Sequence, residues 1–123
     1  MKIKVYELLA AYEEFSAILN EQEEKKFLST RASTYVRRAF MRLTGEYETF
    51  HKTQMECVRE FGTINEDKSW KVEGEQLAAY VEKWGPIAKE EIDVDAFTLD
   101  LSLFDGTNFG DKRIQAILPF IKE

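Results

Sequence analysis

The sequence predicts an α+β fold, a long helical hairpin that carries a short hairpin or small β-sheet and a C-terminal helix. Three observations carry this. Within residues 30–61, the positions Val36, Phe40, Leu43, Tyr47, Phe50, Gln54, Cys57 and Phe61 step by four and three, the period of a helix with one apolar seam. Val5, Leu8, Tyr12, Phe15 and Leu19 step the same way, which predicts an amphipathic helix over 5–19. The stretch "EIDVDAFTLDLSLF" instead alternates, as a strand does.

After the first helix, "NEQEEKKF" breaks the apolar pattern and is expected to be a polar connection or a frayed end. Ser29 or Thr30 then offers an N-cap, and Gly62 is a natural terminator. Gly45 lies between them and costs about 1 kcal/mol against alanine, but the apolar phase runs through it unbroken, so one continuous helix is expected. A helix of about 32 residues is about 48 Å long. A compact chain of this length is only roughly 35 Å across. The rod therefore either projects or has its surplus seam covered by another copy. A homo-oligomer is expected, with Phe40, Tyr47, Phe50 and Gln54 at the interface and Gln54, polar on the seam, setting register.

Beyond the rod, Asn65-Glu66-Asp67 forms a turn cluster between Ile64 and "WKV", which predicts a short hairpin. Residues 75–84 return to helical period, with Leu77, Val81 and Trp84 on one side. Gly85-Pro86 then kinks or ends that helix. In the alternating segment, Ile92, Val94 and Ala96 give way to Phe97, Leu99, Leu101 and Leu103. That shift of phase predicts a bulge, a crossover or a break. "DGTNFGD" is expected to be a loop, and "DKRIQAILPFIKE" a short helix that buries Ile114, Ile117, Leu118 and Ile121.

The 123 residues fit one domain, 1–123,. Hydrophobic residues at 44% and nine phenylalanines supply the burial that disordered chains lack,. No apolar run approaches the ~20 residues of a bilayer span. The opening "MKIKVYELLAAYEEF" lacks the small-residue cleavage site of a secretory signal,. Cys57 is the only cysteine, so no internal disulfide forms and a reducing cytosol is expected. The net charge of −6 speaks against generic nucleic-acid binding,.

Against that acidic balance, residues 25–45 carry +6 and no acid, which leaves −12 for the rest of the chain. With Phe40 at zero on a helical wheel, Arg38, Arg31 and Arg42 fall at about 160°, 180° and 200°. They form a stripe opposite the seam, with Tyr35 at its edge. The stripe is either a solvated face or a docking face for an acidic protein or a nucleotide-like ligand. Arginine forks suit carboxylate and phosphate, and a tyrosine can stack on a base. Gly45 on the same side is either a tolerated surface glycine or a place where a partner's backbone comes close. His51 reads as structural, and Cys57 as a buried thiol with no activating neighbour. Asp93 and Asp95 should share a strand face, which is either solvated, cation-binding or the catalytic pair of a metal-dependent enzyme, the third and remotest reading of the chain. "DGTNFGD" lacks the spacing of a calcium loop, and no phosphate loop or hydrolase motif is present. No metal, no cofactor and no enzymatic activity are expected.

The order of features resembles a widespread group of short, uncharacterised proteins encoded by tailed bacteriophages. The resemblance rests on the lysine-rich opening into a helix ("MKIKVYELLAAYEEF") and a long basic-then-acidic helix ending in "REFG". It continues in the acidic alternating strand "EEIDVDAFTLDL" and the ending "ILPFIKE". It implies a phage origin and assigns no site residues. The expected function is that of an oligomeric accessory binder in the host cytoplasm, for which counter-defence is one purpose. The alternative is a structural or assembly component of the virion, in which the arginines join neighbouring subunits.

Overall fold

The computed structural model describes residues 1–107 and 109–122. Helix α1 (Val5–Lys25) opens where the Glu7 carboxylate accepts the backbone N–H of Lys4 at 3.1 Å. It runs through the segment expected to be a connection, because Glu, Gln and Lys are good helix formers and no breaker intervenes. The reversal comes at Lys26, which takes the left-handed conformation (φ 47°, ψ 45°) and closes its N–H on the Gln22 carbonyl at 2.9 Å. The Gln22 side chain then clasps the next residues. Its amide donates to the Leu28 carbonyl at 3.1 Å, and its oxygen accepts the Leu28 N–H at 2.8 Å.

Helix α2 (Thr30–Phe61) has the predicted bounds and passes through Gly45 without interruption. Ser29 is the N-cap, its hydroxyl accepting the Ala32 N–H at 3.0 Å,. At the other end the chain needs glycine for closeness. A Cβ on Gly62 would lie 2.5 Å from the Val58 carbonyl oxygen and 2.8 Å from that of Lys71.

The main core lies between the N-terminal half of α2 and α1, and the C-terminal segments close it. Ala32, Val36, Ala39 and Leu43 of α2 are fully buried in one cluster with Leu8, Ala11, Phe15 and Ile18 of α1. Val94, Leu99, Phe104, Ile117 and Phe120 complete it, and Phe120 meets Phe15 edge-on at 5.8 Å. Burying each such large apolar side chain contributes about 1.5–3 kcal/mol. A smaller cluster of Val5, Leu9, Cys57 and Trp84 sits toward the far end of α2.

The predicted hairpin forms between β2 (Thr63–Ile64) and β3 (Trp70–Lys71), Thr63 opposite Lys71. Asp67 shapes its turn by accepting the Ser69 N–H at 3.0 Å. Helix α3 (Glu75–Ala88) neither kinks off nor ends at Gly85-Pro86 but continues through Pro86. The proline falls in the last turn, and Gly85 before it has no Cβ to clash with the ring. Trp84 is buried, whereas Leu77 and Val81 are exposed.

The alternating segment breaks rather than bulges. Strand β4 (Glu91–Asp93) pairs antiparallel with β1 (Lys2–Lys4), a strand too short to show in the pattern. Residues 94–98 are irregular, and β5 (Leu99–Asp100) pairs in parallel with β6 (Ile121–Lys122). Leu101 and Leu103 belong to a 3-10 turn, whose start is fixed by the Asp100 carboxylate accepting the Ser102 N–H at 2.9 Å. Helix α4 (Asp111–Ile117) is followed by a 3-10 turn over Leu118–Phe120. That turn rotates the expected face, so Leu118 is exposed and Phe120 is buried in its place. Pro119, second in the turn, needs no donor there. Arg113 ties α4 to α1, meeting Glu14 at 3.2 Å and Glu21 besides. The loop expected at "DGTNFGD" includes Asn108, which lies outside the described residues. Among the described residues no helix is long and apolar enough to cross a membrane.

Candidate functional site

Arg31, Tyr35, Arg38 and Arg42 step by four and three along α2, so the helix itself brings them to one flank,. That flank is not opposite the buried face, as the seam implied. Ala32, Val36, Ala39 and Leu43 center the buried direction near about 290° on the wheel, so the stripe is only about 110° away. Small alanines at Ala32 and Ala39 let the rest of the fold approach on that side, and the stripe borders the contact.

What borders it is Phe97, from the irregular stretch between β4 and β5. Its ring meets Tyr35 edge-on at 6.5 Å. The Arg38 guanidinium lies between the two rings, 5.3 Å from Tyr35 and 5.1 Å from Phe97. Arg31 stands 5.7 Å from Tyr35, and Arg42 stands 5.0 Å from Phe97. Each such contact at an exposed site contributes about 0.5–1 kcal/mol. Stacking fixes the three cations without neutralising them. Arg42 also meets Asp95 at 3.6 Å, but the Asp95 side chain is 95% exposed, so the pair is weak. Among the described residues, Arg31 and Arg38 reach no carboxylate at ion-pair distance. A depression of about 180 Å³ opens beside them, lined by Arg31, Tyr35, Phe97, Leu99, Asp100 and neighbours. The Asp100 carboxyl is held below the ordinary range, chiefly by its hydrogen bonds to Ser102 and to a small extent by Lys122 and then Arg31.

The four residues expected at a subunit interface are engaged inside the chain. The Tyr12 ring of α1 stacks between Phe40 at 4.4 Å and Tyr47 at 4.0 Å. Tyr47 donates its hydroxyl proton to Glu13 at 3.2 Å. Partial burial and then the Glu13 charge push its pKa up to about 12. Phe50 packs against both core clusters, and Gln54 donates to the Tyr80 hydroxyl of α3 at 3.2 Å. Helices α1 and α3 thus cover the seam that the length of α2 left over. A second copy is not needed at Phe40, Tyr47, Phe50 or Gln54.

The remaining candidates separate. His51 is half-buried and stacks on Tyr47 at 5.0 Å. Cys57 is a buried free thiol. Asp93 and Asp95 do not form a pair on one strand face, because β4 ends between them. Asp93 accepts from the Met1 amine at 2.9 Å, which holds its carboxyl below the ordinary range, and Asp95 turns to Arg42. Gly45 faces open space, with nothing within 4 Å of the position its Cβ would take.

Phe97 and Asp95 are the residues that sequence reasoning left out of the site. Their signal was an aromatic beside acids in "DVDAF", complementary to an arginine–tyrosine stripe. No protein-family model matches the chain, and comparison with the curated proteins and with the solved structures returns no significant match.

Proposed function

We propose that this chain is a non-enzymatic binding protein that docks an acidic segment of another protein on the flank formed by Arg31, Tyr35, Arg38, Arg42 and Phe97. A single observation carries the reading. Two guanidinium groups, Arg31 and Arg38, are held in place by aromatic faces while their charge stays unpaired among the described residues. Orientation without neutralisation is what a carboxylate-binding surface requires, because a fork already aligned loses less freedom on binding. A nucleotide-like ligand fits less well. The depression is about 180 Å³, below the ~300–1,000 Å³ of small-molecule sites. A phage accessory role in the host cytoplasm, with counter-defence as its purpose, belongs to this reading.

Fluorescence anisotropy with a labelled Asp/Glu-rich peptide, and separately with labelled ATP, tests it. The peptide is expected to bind in a salt-sensitive way. Arg38→Glu combined with Arg42→Glu should abolish capture while circular dichroism stays unchanged. Normal binding by that variant would remove the site assignment. Capture of ATP alone would restore the nucleotide. A change in subunit mass on the same substitutions would favour the assembly alternative, a virion component whose arginines join neighbours.

A further inference from the structure

On the other flank of α2, α1 and α2 leave a groove of about 420 Å³. Tyr12, Leu19, Phe40 and Met41 give it an apolar lining, and Met41 is 67% exposed. Its α2 wall presents one base, Arg37. The α1 wall presents Glu23. Neither Arg37 nor Glu23 has an ion-pair partner among the described residues. The same chain carries an uncovered surface of opposite character. Leu77 and Val81, four residues apart on α3, are 46% and 55% exposed. Glu75 and Glu82 flank them, while Glu73 just upstream pairs with Lys71 at 3.4 Å.

From these two surfaces we infer that the groove between α1 and α2 receives the first turns of α3 from a second copy of this chain. Leu77 and Val81 are the i and i+4 anchors of a helix laid in a groove. They enter over Met41 and Leu19, and an acid of α3 meets Arg37. Charge complementarity orients the pair. Groove and helix are different surfaces of one molecule, so the contact is head-to-tail and builds rings or open chains rather than two-fold dimers. This inference rests on the self-association expected from the sequence and relocates it from the covered seam. It does not involve Arg31, Arg38 or Arg42, so it stands or falls apart from the docking flank.

Light scattering across a concentration series, with two variants, tests it. Wild-type mass should rise above 14.4 kDa as concentration increases. Val81→Asp spoils the helix and Met41→Asp spoils the groove, so each alone is limited to a single surviving surface and should stay at monomer mass. Mixing them should regenerate one intact groove and one intact helix, giving a 1:1 pair of twice the monomer mass that grows no further. Arg37→Glu should weaken wild-type association, and Glu82→Arg on the same chain should restore it. The inference is overturned if the wild type stays monomeric throughout. It is equally overturned if the mixed variants, both folded by circular dichroism, remain separate.

Discussion

The two halves of α2 share one periodicity and have different fates. From Thr30 to Leu43, Ala32, Val36, Ala39 and Leu43 are fully buried. From Thr44 to Phe61 only Cys57 is buried. The seam repeats unchanged in both, so the period says which residues share a side and not how deeply that side is covered. The first half meets α1 and the C-terminal segments together. The second meets the start of α1 and α3, whose own leading turns stay exposed. Depth of cover therefore follows from how many elements meet each half, not from the period of the seam.

The sharpest way to break this contrast is a truncation in each cluster. Phe15→Ala, in the main core, should destabilise the whole molecule by about 3–5 kcal/mol, read as a lower midpoint in a denaturant titration. Trp84→Ala should release α3 locally. Native-state hydrogen exchange would then show α3 amides losing protection while those of α1 keep theirs. Equal loss in both helices would mean that the two clusters are one cooperative unit. A smaller effect of opposite sign is expected where the halves join. Gly45→Ala adds a Cβ into open space and should stabilise by about 1 kcal/mol, seen as a higher melting temperature. Destabilisation there would show that the position does more than continue the helix.

The last expected effect is read only at alkaline pH and lies at Tyr47. Its pKa is raised to about 12 from an ordinary 10, so the folded chain holds that proton more tightly than the unfolded one. The resulting stabilisation is complete below pH 10 and is lost as pH rises from there toward 12. Tyr47→Phe should flatten the alkaline limb of a stability profile, and an unaltered limb would remove Tyr47 as its cause.

What the sequence disclosed and what it hid divide along the same physical line. Both ends of α2 were legible because Ser29 and Gly62 act on backbone groups within four residues of themselves. The hairpin at Asn65–Asp67 was legible for the same reason. The extension of α1 was hidden, since Glu23, Glu24 and Lys25 face water and leave no apolar imprint. The buried direction of α2 was displaced because Ala32 and Ala39 matter by being small, and apolar stepping weighs large residues. The arginine–tyrosine stripe was read correctly as a row on one helix face. Its partner Phe97 was not, because nothing local joins residue 97 to residue 38. Leu77 and Val81 were placed on one side of α3 with Trp84 by their spacing, which cannot tell a buried stripe from an exposed one.

The Gln22 clasp at the corner between α1 and α2 bears on the order in which the chain assembles. Helices joined by a four-residue reversal lose little entropy in finding one another, whereas β1 must find β4 across most of the chain,. The two helices are thus expected to meet first and to serve as the template on which both end segments settle. Phe97 is strung between β4 and β5, whose mates are those end strands. The aromatic wall of the docking flank is then among the last parts to reach its place, and a nascent chain would present its arginines before it could hold anything with them.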